Sequence, residues 1–234
     1  MTKYTGQQPA LIAIDCIIFG FDGQDLKILI IKRGFEPEKN KWSLMGGFLQ
    51  PNENLDEAAN RILKQLTGFE GVYMEQLHTF SKVDRDPEER TISVAYFALI
   101  DIQKYEKQLS EDYHPEWFLL SKKPNLIFDH EEMVELAKKQ LRYKASIHPL
   151  LFELLPEKFT IPQLQNLYEG VYDTIFDSRN FARKIMSSAL LIKQIGKDKS
   201  SSRKGAFYYK LDKRKYKLKQ NGYLNFLPKE DKFI

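Results

Sequence analysis

Apolar residues run almost unbroken through LIAIDCIIFGF at 11–21 and through LKILIIKR at 26–33, with the polar turn DGQD between them. Two β-prone runs joined by a short Asp/Gly turn predict a hairpin. KWSLMGGFL follows, and then a helical pattern from about Asn54 to Thr67. Two further β-rich segments, GVYMEQLHTFSK and RTISVAYFALI, are joined by VDRDPEE, which is turn chemistry with a proline. After EWFLLSKKP the segment DHEEMVELAKKQLRYK reads as a helix. Asp129 stands at its N-cap, Glu131 and Glu132 in its first turn, and basic residues at its end. Mixed strands with one internal and one closing helix predict an α+β fold, an α/β/α sandwich.

The pattern changes near Ser146, so two domains are expected, 1–145 and 146–234. SIHPLLFELLPEKF, TIPQLQNLYEGVY and SRNFARKIMSSALL are three short helical patterns in succession. Thr160 and Gln163 form a T-x-x-Q capping box for a helix running to about Glu169. Gly170 to Phe176 reads as a turn, and Asp177 or Ser178 caps the next helix. On that helix Phe181, Ile185 and Ala189 share an inward face. Arg179, Arg183 and Ser187 form an outward stripe, with Asn180 and Lys184 beside it. Arg pairs bidentately with guanine and Asn with adenine, while Lys holds phosphate, which is the chemistry of a major-groove recognition helix. An amphipathic helix with a solvated basic face has the same pattern. LLIKQIG and GAFYYKL are β-prone and flank KDKSSSRKG, a basic hairpin tip carrying Lys197, Lys199, Arg203 and Lys204. Three helices and a basic wing make a winged helix-turn-helix, expected to bind double-stranded DNA.

The charge distribution agrees. Between Gly196 and Lys219 stand ten basic residues against Asp198 and Asp212, a net of +8, which leaves −4 for the rest of a chain whose total is +4. A basic segment on a mildly acidic protein points to a polyanionic partner, or to a solvated surface. No stretch reaches the roughly 18 uninterrupted apolar residues of a membrane helix, and MTKYTGQQPA lacks the apolar centre of a signal peptide. A cytoplasmic protein without membrane association is therefore expected. The single cysteine, Cys16, lies in an apolar run and reads as a small buried hydrophobe; one cysteine excludes an intramolecular disulfide and a Cys-based zinc site.

One stretch carries a specific spacing. Gly47 is followed after five residues by Glu53, after seven more by Arg61, and then by Leu63, Gly68 and Phe69. This resembles the Nudix box, G-x5-E-x7-R-E-U-x-E-E-x-G-U, with U a bulky apolar residue. In that family the glutamates after Arg bind divalent cations and activate water against a nucleoside diphosphate. Their positions here hold Ile62, Gln65 and Leu66. Leu55, Ala59, Ile62 and Leu66 recur at helical spacing, so the metal face continues an apolar stripe. Mg²⁺ requires oxygen ligands, and Ile and Leu supply none. Glu53 alone builds no metal clamp, so neither metal, cofactor nor catalytic residue is expected. Asn54 and Glu57 fit an N-cap and its capping-box partner. Arg61 suits either orienting the preceding loop or a helix-surface ion pair.

A Nudix-like domain followed by a winged helix resembles the Nudix-related transcriptional regulators. IDCIIFGFDGQDLKILIIKR, DRDPEERTISVAYFAL, WFLL, FDHEEM and FTIPQLQNLYEGVYDTIFDSRNFARKIM carry the likeness beyond the box. The resemblance implies a homodimer on a palindromic operator, with the Nudix domain sensing an effector instead of hydrolysing it. Effectors of the family include ADP-ribose and other NAD metabolites in some branches and pentoses, notably L-arabinose, in another. The degraded box favours the pentose branch, and a repressor of sugar catabolism is the expectation. Effector-site candidates are Asp15, Lys32, Arg33, Trp42, Glu53, Arg61, Asp129 and His130. Asp15 fits a hydroxyl acceptor or a structural ion pair, and Trp42 a sugar-stacking surface or a core position. Two other classes stay open: a Mg²⁺-dependent nucleotide hydrolase with a nucleic-acid-binding tail, and an RNA-binding or scaffold protein.

Overall fold

The computed structural model describes residues 6–110, 113–147, 150–199 and 204–218. The chain divides into two compact units, one of residues 1–19, 28–99 and 105–137, the other of 20–27, 100–104 and 138–234.

The expected hairpin is present as β1 (Leu11–Phe21) and β2 (Leu26–Lys32). Asp22 fixes its turn: Oδ1 accepts the Gln24 and Asp25 N–H groups at 2.9 and 2.8 Å. β3 (Trp42–Ser43), β4 (Met45–Phe48), β5 (Met74–Phe80), β6 (Thr91–Asp101) and β7 (Glu116–Leu119) complete one sheet of the order β3-β2-β1-β6-β5, with β4 on β1 and β7 on β2. β1 and β6 are buried along nearly their whole length, which explains why their sequences do not alternate.

α1 (Leu55–Thr67) begins where the capping box places it: Asn54 accepts from the Glu57 N–H, and Glu57 accepts from the Asn54 N–H. It ends at Gly68 in the left-handed conformation (φ 80°), where any Cβ would also lie 2.2 Å from the Gln108 carbonyl oxygen. Ala58, Ala59, Ile62, Leu63 and Leu66 are buried, each of the larger three contributing about 1.5–3 kcal/mol by the usual transfer scale. A short α2 (Ile102–Tyr105) follows β6. α3 (His130–Ile147) starts behind Asp129, whose carbonyl accepts the Met133 N–H as an N-cap residue's should; its carboxylate is used elsewhere.

In the second unit, the first expected helix is only a 3-10 turn at Leu150–Leu154. β8 (Phe159–Thr160) leads through the Thr160–Gln163 capping box into α4 (Ile161–Tyr172). This helix passes through Gly170, where it was expected to end by Glu169. The glycine is needed for proximity: a Cβ there would meet Leu26 Cβ at 2.9 Å. The helix stops instead at Asp173, left-handed at φ 49°, and Arg142 donates to the Val171 carbonyl at 2.6 Å and to the Asp173 carboxylate at 2.5 Å. α5 (Ser178–Ser187) is capped by Asp177, and β9 (Leu191–Asp198) and β10 (Ala206–Leu211) form an antiparallel pair that β8 extends. Phe181 and Ile185 face inward as expected. Ala189 does not: it lies beyond the helix end at φ 58° and is exposed, so Leu190 fills the core at that end. α6 (Lys213–Leu218) closes the described chain. Among the described residues no helix is long and apolar enough to cross a membrane.

Candidate functional site

A cavity of about 610 Å³ opens in the first unit between the ends of β1 and β2, the β3–β4 segment, the 81–90 loop and the start of α3. Its size lies within the usual range for ligand sites. Asp15 forms the floor, 5% exposed. Its carboxylate accepts a 2.6 Å hydrogen bond from Ser93 Oγ, and lies 3.7 Å from Arg85 Nη2 and 3.5 Å from His130 Nε2. Gly46 stands opposite Asp15 in the β1–β4 register, and a Cβ there would be 2.4 Å from Asp15 Oδ1. Glycine at that strand position is therefore what lets the acid occupy the floor.

Arg85 is buried and forks onto Asp129, Nε to Oδ2 at 2.9 Å and Nη2 to Oδ1 at 2.8 Å. Two planar groups paired this way are held in one orientation. His130 Nδ1 accepts the Leu44 N–H at 3.2 Å, so a neutral ring carries its proton on Nε2, towards Asp15. Burial pushes the imidazole below its ordinary pKa, and the attraction of Asp15 and Asp129 opposes that shift.

Nearer the mouth, the Arg33 guanidinium lies 4.0 Å over the Phe35 ring and 5.4 Å from that of Phe128. Lys32, Asp86, His114 and Glu116 also line the cavity. The walls thus offer cations for an anionic group and carboxylates for hydroxyls.

Of the effector-site candidates, Asp15, Lys32, Arg33 and His130 reach the cavity. Asp129 sits behind it, held by Arg85. Trp42 packs edge-to-face on Phe118 at 4.8 Å, with the Lys32 ammonium 5.0 Å over its ring, and Glu53 and Arg61 also lie outside the lining. The sequence did not single out Arg85 and Asp86, which stand inside what read as turn chemistry, nor Ser93, His114 and Glu116.

The box residues do not fit a divalent cation. Ile62 and Leu66 are buried, and Gln65 donates to the Tyr113 hydroxyl at 3.3 Å. Both oxygens of Glu53 are occupied: Arg61 donates to each, at 2.8 and 2.6 Å, and the Gln50 N–H donates to Oε1 at 2.8 Å. Arg61 also donates to the Phe48 carbonyl at 3.0 Å, so it both pairs and orients the loop. Gly47 faces this helix, a Cβ there lying 3.1 Å from Ile62.

In the second unit Arg179, Asn180, Arg183, Lys184 and Ser187 are all exposed on α5. Arg183 donates to Asn180 Oδ1 at 2.8 Å, and Ser187 turns its hydroxyl to the Lys184 carbonyl. In the wing, the Lys197 ammonium lies 4.4 Å over Phe207 and donates to the Lys204 carbonyl. Lys199 and Lys204 are exposed, and Arg203 lies outside the described residues. This is a stripe of donors on one helix beside a basic hairpin.

Residues 9–142 match the NUDIX domain family and residues 151–211 the NrtR DNA-binding winged helix domain. The chain is 33% identical over 204 residues to the ADPR responsive transcriptional repressor NtrR of Acinetobacter baylyi, covering 86% of this chain and 81% of the relative. It is 34% identical over 145 residues to the ADP-ribose pyrophosphatase of Methanocaldococcus jannaschii, covering 62% and 80%. Shewanella oneidensis NrtR complexed with a 27mer DNA superimposes with a TM-score of 0.73 at 29% identity, covering 86% of this chain and 93% of that one. The NUDIX domain of the same Shewanella protein, complexed with ADP ribose, gives a TM-score of 0.51 at 28% identity, with 59% and 94% covered.

Proposed function

This chain belongs to the Nudix-related transcriptional regulators of the NrtR type, and from that premise we propose that it is a DNA-binding repressor released by ADP-ribose or a close analogue. The single observation that carries the reading is the joining of a stripe of exposed donors on α5 to a Nudix domain whose box keeps one carboxylate, Glu53, paired with Arg61, and none after Arg61. The Nudix domain senses the ligand and leaves it intact. α5 reads base edges through Arg179, Asn180 and Arg183; Lys184, Lys197, Lys199, Arg203 and Lys204 hold phosphates, and Ser187 supports them. The operator is palindromic and the protein binds it as a homodimer in the cytoplasm.

ADP-ribose takes the place of the pentose expected from the sequence. Two of the relatives are named for ADP-ribose, a third structure holds it, and none is named for a pentose. The cavity chemistry agrees: a single pentose ring would fill only a fraction of about 610 Å³. Lys32 and Arg33 suit the diphosphate, while Asp86 and Glu116 suit ribose hydroxyls.

The likeness to a pyrophosphatase favours one other reading, a hydrolase that uses the same cavity. A melting series separates these. ADP-ribose, and not L-arabinose, is expected to raise Tm by mass action, and to be recovered intact after incubation with Mg²⁺. Stabilisation by arabinose alone would overturn the effector, and Mg²⁺-dependent cleavage would establish the hydrolase.

A further inference from the structure

The match to the winged-helix family stops at residue 211, and the chain continues directly into a basic element. Asp212 anchors it: its N–H donates to the Leu190 carbonyl at 2.7 Å, and its Oδ1 accepts the Arg214 and Lys215 N–H groups, both at 3.1 Å. The Lys215 ammonium lies 3.4 Å from the Ala189 carbonyl. That carbonyl is two residues past Ser187, the last residue of α5 and of its exposed stripe. α6 is therefore fixed at the C-terminal end of the helix that carries the recognition residues.

Among the described residues its charge is neutralised only in part. Lys213, Arg214 and Lys215 are exposed. The facing carboxylates are Asp212, turned to the backbone of α6 and 3.9 Å from Lys215, and Glu157, which pairs with Lys210. Among the described residues four cations, Lys210, Lys213, Arg214 and Lys215, face these two carboxylates, so a net positive surface continues past the end of α5.

We propose that α6 is a second phosphate-binding element, one that lengthens the footprint of α5 along duplex DNA without reading sequence. Lys213, Arg214 and Lys215 hold backbone phosphates beyond the bases that α5 contacts. No part of the winged-helix match covers these residues. The inference rests on the reading of α5 and the wing as a duplex-binding surface.

The test uses the full chain, wild type against K213Q/R214Q/K215Q, titrated at several salt concentrations with two duplexes. One is enriched by the protein from random sequence, and the other is scrambled. Every phosphate contact removed is expected to flatten the slope of log K against log salt by about 0.9, so the triple variant loses between about 1 and 3 per bound protomer, and about twice that for the dimer. Affinity falls on the order of tenfold on both duplexes alike, which distinguishes phosphate contacts from base reading. K213R/R214K/K215R, which keeps the charge, retains the wild-type slope, and an unchanged melting temperature excludes misfolding. A triple variant with the wild-type slope overturns α6 as a contact and leaves the repressor reading intact. A wild-type protein with no affinity for either duplex overturns both.

Discussion

Glu53 and Arg61 are joined by two hydrogen bonds across the start of α1, Nε to Oε2 at 2.8 Å and Nη2 to Oε1 at 2.6 Å. Arg61 holds the Glu53 carboxyl below its ordinary pKa. The sign of the pH effect follows. A depressed folded-state pKa contributes stability above the unfolded value of about 4.3, and that stability is lost as the pH falls through the folded one. Glu53→Gln is expected to lower Tm at pH 7, and the difference from the wild type is expected to shrink progressively as the pH falls below about 4.3. An equal difference on either side of that pH would show that the pair contributes nothing through its charge.

Arg85 is the buried cation between the buried Asp15 and the half-buried Asp129. Truncating one partner of a buried pair leaves uncompensated charge, at a cost of about 3–5 kcal/mol. Arg85→Ala should lower the urea midpoint accordingly, and Arg85→Ala with Asp129→Ala should cost less than the two single changes added together. A cost below about 1 kcal/mol for Arg85→Ala would mean that water reaches these acids.

His130 is neutral because burial disfavours its charge, so its folded pKa lies below the unfolded value of about 6.5. As pH falls through that value the unfolded chain takes up a proton that the folded protein resists, and stability declines. Urea unfolding between pH 7.5 and 5 should show this decline in the wild type and a shallower one in His130→Gln. An imidazole resonance of His130 titrating at or above pH 7 would contradict the assignment.

Much of the framework was legible because its causes are local. Asn54–Glu57 and Thr160–Gln163 fix helix starts within three residues, and Asp22 closes its own turn. The glycines were harder. Gly170 looked like a helix end and serves packing against Leu26, while Gly46 makes room for an acid 31 residues away. Both depend on what approaches in space. The floor of the cavity was legible only in part for the same reason: Asp15 was conspicuous as an acid in an apolar strand, but Arg85 meets Asp129 across 44 residues of chain, and nothing near it in the sequence announces that. Trp42, the obvious platform for a sugar, is engaged by Phe118 and Lys32.

Arg183 lies exposed in the middle of α5. If it reads a base, Arg183→Ala should cost about 1–3 kcal/mol on the preferred duplex and relax specificity at one base position. Lys197→Ala should instead weaken all duplexes alike and reduce the salt slope by about 1 per bound protomer. Fluorescence anisotropy on single-base variants of the preferred duplex checks both. Loss of affinity in Arg183→Ala that is uniform across sequences would make it a phosphate contact.

The most direct test of sensing without cutting follows one sample through two readouts. The protein, bound to a fluorescent duplex that it has itself enriched from random sequence, is titrated with ADP-ribose in the presence of Mg²⁺, and the nucleotide is then analysed chromatographically. The duplex is expected to be released as the cavity fills, and ADP-ribose to be recovered whole. A duplex that stays bound while ADP-ribose is converted to AMP and ribose 5-phosphate would contradict sensing without cutting.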